Sequence, residues 1–388
     1  MRRFAKTLAA ATLLVALSGT HADEKEIGHL IPPGYEPEEA RDEQGLWLEF
    51  EEIESAINKS ALLVNDPVLN NYLNKVVCRV AVAYCDDFRV YLIRNPNFNA
   101  SVSATGMMQI WTGLIIRASS TDEIAAVIAH EIAHYTRLHS LEGFRALKRK
   151  MATGAFFDVA LGALTGIYGV GQASAALSYL SFNREQETEA DLLGAKLLSL
   201  AAYDPHASYR VWQTIVEEEE AAAVKREEPS IFAKTHPESG ARASYLESWV
   251  QASYGPPDAE YVADLELIDV LNKSYIFLME DQIDTNRFGR TKQILERHSE
   301  MGVDPSLVHY FYGEMFRQRA EPDDRELAMA AYRHSIEGGN APPEAYKNLG
   351  YLHLRNYDVE RARERFREYL TLDPNASDRA MIEYYLKE

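Results

Sequence analysis

Seventeen consecutive residues, EIAAVIAHEIAHYTRLH at 123–139, contain neither proline nor glycine. The stretch is rich in helix-forming residues, and Ser120 with Glu123 has the spacing of a capping box at its start. A helix here would display His130 and His134 on one face, because residues four apart lie one turn apart. This helix constrains the fold of the chain more than any other segment, since whatever packs on it must accommodate two adjacent imidazoles.

His130, Glu131 and His134 form the His-Glu-x-x-His pattern of zinc peptidases. Two imidazoles on one helical face can bind one ion, and Glu131 lies beside them, offset enough to hold a water. The residue ten positions after His130 is Ser140, which excludes the metzincin arrangement. His139 falls off the metal face and is interpreted as structural or as support for a ligand. The alternative is an amphipathic helix with two surface histidines.

A zinc site that keeps an open position needs a third protein ligand. The segment NREQETEAD at 183–191 offers four carboxylates, namely Glu185, Glu187, Glu189 and Asp191. Glu187 and Asp191 are four apart and share a helical face. One of them would bind zinc while the other orients a ligand histidine through its second nitrogen. Spacing alone does not assign the two roles.

HEIAH, then a small-residue apolar stretch, then SFNREQETEAD, resembles metallopeptidase family forty-eight over roughly residues 45–250. The resemblance implies a mainly α, gluzincin-like metallopeptidase domain with a small β-sheet and one Zn²⁺ per chain. It also implies Glu187 as the third ligand, Asp191 as the support for a ligand histidine, and Glu131 as the catalytic residue.

A strand pair of the family is similar to residues 90–114. The expected role of such a strand is to hold substrate as an added β-strand, recognised through its backbone. Asn99, Ala100 and Gly106 are therefore predicted to bind substrate.

A Thr-His-Pro loop of the family resembles Thr235-His236-Pro237, inside a predicted loop at 231–242. His236 is a candidate fourth zinc ligand that holds the resting enzyme idle, and an ordinary loop histidine is the alternative. Arg242 is predicted to support this loop or the oxyanion.

Three parts are predicted along the chain: a signal peptide at 1–22, the peptidase domain at 23–255 and helical repeats at 256–388. The first part has a basic start, an apolar run and small residues before a cleavage site after Ala22, which predicts a periplasmic protein. The last part follows the tetratricopeptide (TPR) spacing and predicts an α-solenoid. Two units align, at His309, Tyr312, Gly313, Phe316, Ala328, Tyr332 and Pro342, and at Tyr346, Leu349, Gly350, His353, Ala362, Phe366 and Pro374.

The net charge of −19 argues against nucleic acid as a partner. Residues 151–180 are apolar and rich in glycine, and three interpretations remain open: a mobile lid, a peripheral membrane contact and a buried hairpin. Cys78 and Cys85 form either a disulfide or two buried thiols.

The combined prediction is a periplasmic zinc endopeptidase that degrades misfolded or misassembled outer-membrane proteins, similar to the BepA-like branch of the family. The alternative is a chaperone or adaptor that contacts the outer-membrane assembly machinery through its TPR region, with little proteolysis. A purely structural zinc protein is a third interpretation, disfavoured because structural sites usually have four Cys or His ligands.

Overall fold

The computed structural model describes residues 30–37, 42–143, 145, 182–224, 239–257 and 263–387. The predicted signal peptide at 1–22, the apolar segment 151–180 and His236 lie outside the described residues. The chain divides into two compact units, Met1–Glu219 with Pro229–Val262 and Glu220–Glu228 with Ala263–Glu388. The described residues are mainly helical with one three-stranded sheet, which confirms the predicted fold class at that level.

The first helices among the described residues are α1 (Asp42–Asn58) and α2 (Pro67–Ala81), followed by a 3-10 helix (Val82–Asp87). The Asp66 side chain accepts hydrogen bonds from two backbone amides in the first turn of α2, and Pro67 fits this first turn because it needs no donor there. Cys78 and Cys85 are joined by a disulfide that ties the end of α2 to the 3-10 helix. The sequence had left this pairing open.

The sheet contains β1 (Arg89–Ile93), β2 (Ala100–Val102) and β3 (Met107–Trp111) in the order β1-β3-β2. β1 runs parallel to the central strand β3, and β2 runs antiparallel to it. Every residue of β3 is buried. The strand ends before residue 114, the limit of the segment that resembles the family's strand pair, because α3 (Thr112–Ile115) follows β3 at once. There the Thr112 hydroxyl and the Gly113 amide bond to the backbone of Asn95, which diverts the chain from the strand.

Four longer helices follow among the described residues: α4 (Thr121–Thr136), α5 (Arg184–Leu200), α6 (Ala207–Val224) and α7 (Ser239–Tyr254). They belong to the first unit, except for residues 220–224 at the end of α6. Ser120 caps α4 by accepting from the Glu123 amide, as its spacing predicted. The segment 30–37 reaches the other end of α4, where the Ile31 amide donates to the Thr136 carbonyl. The predicted loop at 231–242 is wrong over its last four residues, which form the first turn of α7.

The second unit consists of consecutive helices joined by short loops. They are α8 (Leu265–Asp284), α9 (Phe288–Met301), α10 (Pro305–Arg319), α11 (Asp324–Glu337), α12 (Pro343–Arg355), α13 (Val359–Leu372) and α14 (Arg379–Lys387). The pairs α10–α11 and α12–α13 each pack side by side. A Cβ at Gly313 would lie 2.5 Å from the Tyr332 ring, and one at Gly350 would lie 2.6 Å from the Phe366 ring. The two glycines therefore permit the same close helix approach in both pairs.

None of the described helices is both long and apolar enough to cross a membrane.

Candidate metal centre

Three buried side chains from two helices converge in the first unit: His130 and His134 from α4 and Glu187 from α5. Each offers a ligand atom, and these atoms all lie within 4.8 Å of one another. The Nε2 atoms of the two histidines are 3.0 Å apart, and each is 3.6 Å from a Glu187 carboxylate oxygen. Two imidazole nitrogens and one carboxylate oxygen are a donor set that suits Zn²⁺ in a hydrolase.

Packing of α4 on α5 sets this convergence. Gly194 lies where the two helices approach, and a Cβ there would stand 3.1 Å from the backbone nitrogen of His130. Glu131 is buried beside the two histidines on α4, with 2% of its surface exposed. The helix therefore presents one carboxylate next to the imidazole pair in a site that largely excludes bulk water.

Asp191, one turn beyond Glu187, contacts the second ring nitrogen of His130, with its Oδ1 atom 3.0 Å from Nδ1. A carboxylate can only accept, so Nδ1 of His130 carries the proton and Nε2 presents its lone pair to Glu187 and His134. This is the tautomer that a metal-binding imidazole needs. The local hydrogen bonding therefore fits a metal ion between the three side chains.

Arg242, in the first turn of α7, holds two acidic residues of α5, Glu187 and Asp191. Its guanidinium bonds to both oxygens of Asp191, at 2.6 and 2.8 Å, and lies 2.7 Å from a Glu187 oxygen. The guanidinium also stacks on the Trp212 ring, 4.0 Å from its centroid. Arg242 is 4% exposed, so this buried cation offsets the two negative charges and fixes their orientation.

The charges of this cluster follow from burial and from neighbours. Burial lowers the pKa of His130, which favours its neutral form. Burial opposes ionisation of Asp191, but the Arg242 charge and the hydrogen bonds from His130 and Arg242 outweigh it and hold the pKa of Asp191 well below its usual range. Burial, the Asp191 charge and the hydrogen bond to Asp191 raise the pKa of the Tyr245 hydroxyl.

Three neighbours of the site were absent from the sequence predictions: Trp212, Tyr245 and Phe182. The Tyr245 hydroxyl donates to Asp191, and the Phe182 ring stacks on His134 with centroids 3.8 Å apart. Tyr245 stands three residues after Arg242, so recognition of α7 as a helix would have placed both on one face. No sequence signal marks Trp212 or Phe182, because an aromatic residue on a helix or in a loop is usually part of the core.

The predicted substrate-binding residues lie along β2 and its turn. Asn99 and Ala100 are buried at the start of the strand, and Trp111 donates its amide to the Asn99 carbonyl. Gly106 has a φ of +82°, and a Cβ there would lie 2.1 Å from the Asp87 carbonyl oxygen. The turn into β3 therefore requires glycine for its own geometry. The predicted fourth ligand, His236, lies outside the described residues.

A family model described as Peptidase family M48 matches residues 64–250, which include every residue of the candidate centre. Mitochondrial metalloendopeptidase OMA1 of Schizosaccharomyces pombe is 34% identical over 182 residues, 46% of this chain and 52% of its own length. The Beta-barrel assembly-enhancing protease of Escherichia coli is 25% identical over 252 residues, 60% of this chain and 50% of its own length. A Putative beta-barrel assembly-enhancing protease of Vibrio cholerae is 29% identical over 186 residues, 45% of this chain and 38% of its own length.

The chain thus spans about half or less of each of these relatives. The matched segment carries the HEIAH motif at 130–134 and the acidic segment NREQETEAD at 183–191, and the match confirms the resemblance drawn from them. Residues 64–250, just under half of the chain, are thus similar to the metallopeptidases of family M48.

Proposed function

We propose that this protein is a zinc-dependent endopeptidase, with His130, His134 and Glu187 as the zinc ligands and Glu131 as the general base. The observation that carries the proposal is the convergence of the three ligand atoms within 4.8 Å beside the buried Glu131. A zinc ion held there would lower the pKa of a bound water and polarise the scissile carbonyl.

The chain's own residues have separate roles in this proposal. Glu131 accepts the proton of the attacking water and returns it to the departing amine. Asp191 keeps the proton of His130 on Nδ1, and Arg242 holds Asp191 and Glu187 in place. His236 would be a fourth zinc ligand that holds the resting enzyme idle.

The proposed substrates are unfolded or misassembled polypeptides. Support comes from β2, a short strand paired on one side with β3, since an added strand is recognised through backbone groups rather than particular side chains. In this proposal Asn99, Ala100 and Gly106 shape the strand and turn that receive the substrate.

The proposed location is the periplasm, after removal of a signal peptide at 1–22. Two relatives are named as proteases that enhance β-barrel assembly, which supports outer-membrane proteins as the substrates.

The peptidase domain at 23–255 would act with a TPR-like solenoid at 256–388, and the matched glycine–aromatic contacts of α10–α11 and α12–α13 support that repeat. The solenoid would contact the assembly machinery, and the apolar segment 151–180 would form a lid or a peripheral membrane contact.

A second function is a chaperone or adaptor with little proteolysis, favoured by the length of the helical second unit. The test that separates the two compares wild type with Glu131→Gln in digestion of unfolded casein. We expect Glu131→Gln to keep one zinc per chain and to lose at least about 100-fold in rate, the contribution of a positioned base. Equal digestion by both proteins, or a wild type that takes up no zinc, would refute the proposal.

A further inference from the structure

We infer that His139 and Glu189 are positioning residues for His134: His139 accepts the Nδ1–H of His134, and Glu189 fixes the tautomer of His139. The inference rests on the proposed function, because it concerns how a proposed zinc ligand is oriented. Asp191 orients His130 by accepting its Nδ1–H, and His139 does the same for His134.

Two short contacts link the three side chains in series. Nδ1 of His139 lies 2.9 Å from Nδ1 of His134, and Nε2 of His139 lies 3.2 Å from the Oε2 atom of Glu189. The His134 and His139 rings are inclined at 71°, with their centroids 5.0 Å apart. The 2.9 Å distance between their Nδ1 atoms is that of a hydrogen bond between two ring nitrogens.

The carboxylate determines where the protons are. Glu189 can only accept, so Nε2 of His139 carries the proton of that bond. In a neutral His139 ring, Nδ1 is then the acceptor, and the proton between the two rings belongs to Nδ1 of His134. Nε2 of His134 is left with its lone pair, on the side where Glu187 and His130 lie.

The left-handed backbone conformation of Leu138 brings His139 to this position. In a continuing helix, residues five apart point about 140° away from each other, so His139 would face away from His134. The helix instead ends at Thr136, and Leu138 has a φ of +55°. A left-handed conformation is unfavourable for a residue such as leucine. Here it turns the chain so that His139 meets the outer edge of His134.

Two members of the series, Glu189 and His134, are held by further contacts. The Arg137 side chain lies 3.0 Å from the other Glu189 oxygen, and the Phe182 ring stacks on His134. His139 is buried, whereas the Glu189 side chain is 41% exposed. Glu189 can therefore be changed with less risk to folding than His139.

The test measures zinc affinity by competition with a chromogenic chelator, alongside the thermal midpoint of the zinc-free protein. His139→Phe removes the acceptor and keeps a ring. Loss of a residue that supports a ligand typically weakens metal binding about 10- to 100-fold, and we expect this for His139→Phe. His139→Gln can both accept from His134 and donate to Glu189, so we expect it to bind zinc within about threefold of wild type.

Glu189→Ala repeats the test at a half-exposed position, and Glu185→Ala, an exposed glutamate on the same helix, is its matched control. We expect Glu189→Ala to weaken zinc binding by about tenfold, the low end of such effects, and Glu185→Ala to leave it unchanged. Neither should shift the zinc-free thermal midpoint by more than about 2 °C, as is usual for surface positions.

Wild-type affinity in His139→Phe, a loss in His139→Gln equal to that in His139→Phe, or equal effects of Glu185→Ala and Glu189→Ala would each overturn the inference. If His139→Phe does not fold, the comparison of zinc affinity between Glu189→Ala and Glu185→Ala tests the inference instead. A wild type that binds zinc and digests casein while His139→Phe retains its affinity refutes only the inference. A wild type that binds no zinc refutes the proposed function as well.

Discussion

Glu187 and Asp191, one turn apart on α5, contact opposite nitrogens of the same imidazole: a Glu187 oxygen lies 3.6 Å from Nε2 of His130, and an Asp191 oxygen lies 3.0 Å from Nδ1. The four-residue spacing of two carboxylates thus gives them different chemical roles. One is available as a ligand, and the other sets the protonation of the ring that would share the ion.

Replacement of Asp191 by alanine should harm both stability and zinc binding. It would leave the buried Arg242 with one of its two carboxylate partners and would remove the carboxylate that accepts from Nδ1 of His130. Breaking a buried ion pair costs about 3–5 kcal/mol, and we expect a loss in the free energy of unfolding near the lower end because Glu187 remains. Zinc affinity should fall about 10- to 100-fold. Urea denaturation of the zinc-free protein and chelator competition measure the two effects.

The matched control is Asp269→Ala, which breaks the exposed pair between Asp269 and Lys273 on α8. Exposed pairs contribute about 0–1 kcal/mol, so this variant should unfold almost as the wild type does. Similar losses in the two alanine variants would contradict the buried-pair argument.

Glu54 should make the stability of the first unit depend on acid pH. It accepts from Arg89 and from the Tyr91 hydroxyl, which joins α1 to β1. Burial opposes ionisation of Glu54, but these hydrogen bonds and the Arg89 charge outweigh it, so its pKa lies below the usual value. A lowered folded-state pKa gives stability that is complete above about pH 4.3, the unfolded value, and is lost as pH falls through the folded value.

We therefore expect Glu54→Gln to reduce the free energy of unfolding by about 1 kcal/mol at pH 7. This is less than a fully buried hydrogen bond between charged groups would contribute, because the Arg89 side chain is 44% exposed and water screens the pair. The difference from wild type should shrink towards pH 3, with zinc chelated throughout. Glu52→Gln, at an exposed position of the same helix, should show no such difference. A gap between Glu54→Gln and wild type that stays constant from pH 7 to 3 would contradict the assignment.

Gly350→Ala should destabilise the second unit. The new Cβ would lie 2.6 Å from the Phe366 ring, which is fully buried. Overpacking of this kind costs about 1–3 kcal/mol, which should appear as a lower denaturation midpoint. Gly45→Ala is the control, since that glycine lies in α1 with open space around it. It should be neutral or stabilise by up to about 1 kcal/mol through helix propensity. A stabilising Gly350→Ala would show that α12 and α13 are not tightly packed.

Local sequence was sufficient for the elements that carry the site. The capped helix with its two histidines, the four-residue spacing of Glu187 and Asp191, and the mixture of helices with a few strands all follow from periodicity, capping and motif spacing. These features depend on interactions within one or two turns, which neighbouring residues in the chain specify directly.

The tertiary structure decided which side chains meet across helices. Arg242, predicted in a loop, lies on a helix and joins Asp191 and Glu187, and Trp212 packs beneath it. Contacts of this kind depend on where separate helices cross, and no spacing along the chain encodes that crossing. His139 has a different cause: helical periodicity directs it away from the metal face, and the left-handed conformation of Leu138, which no sequence signal marks, returns it to the far nitrogen of His134.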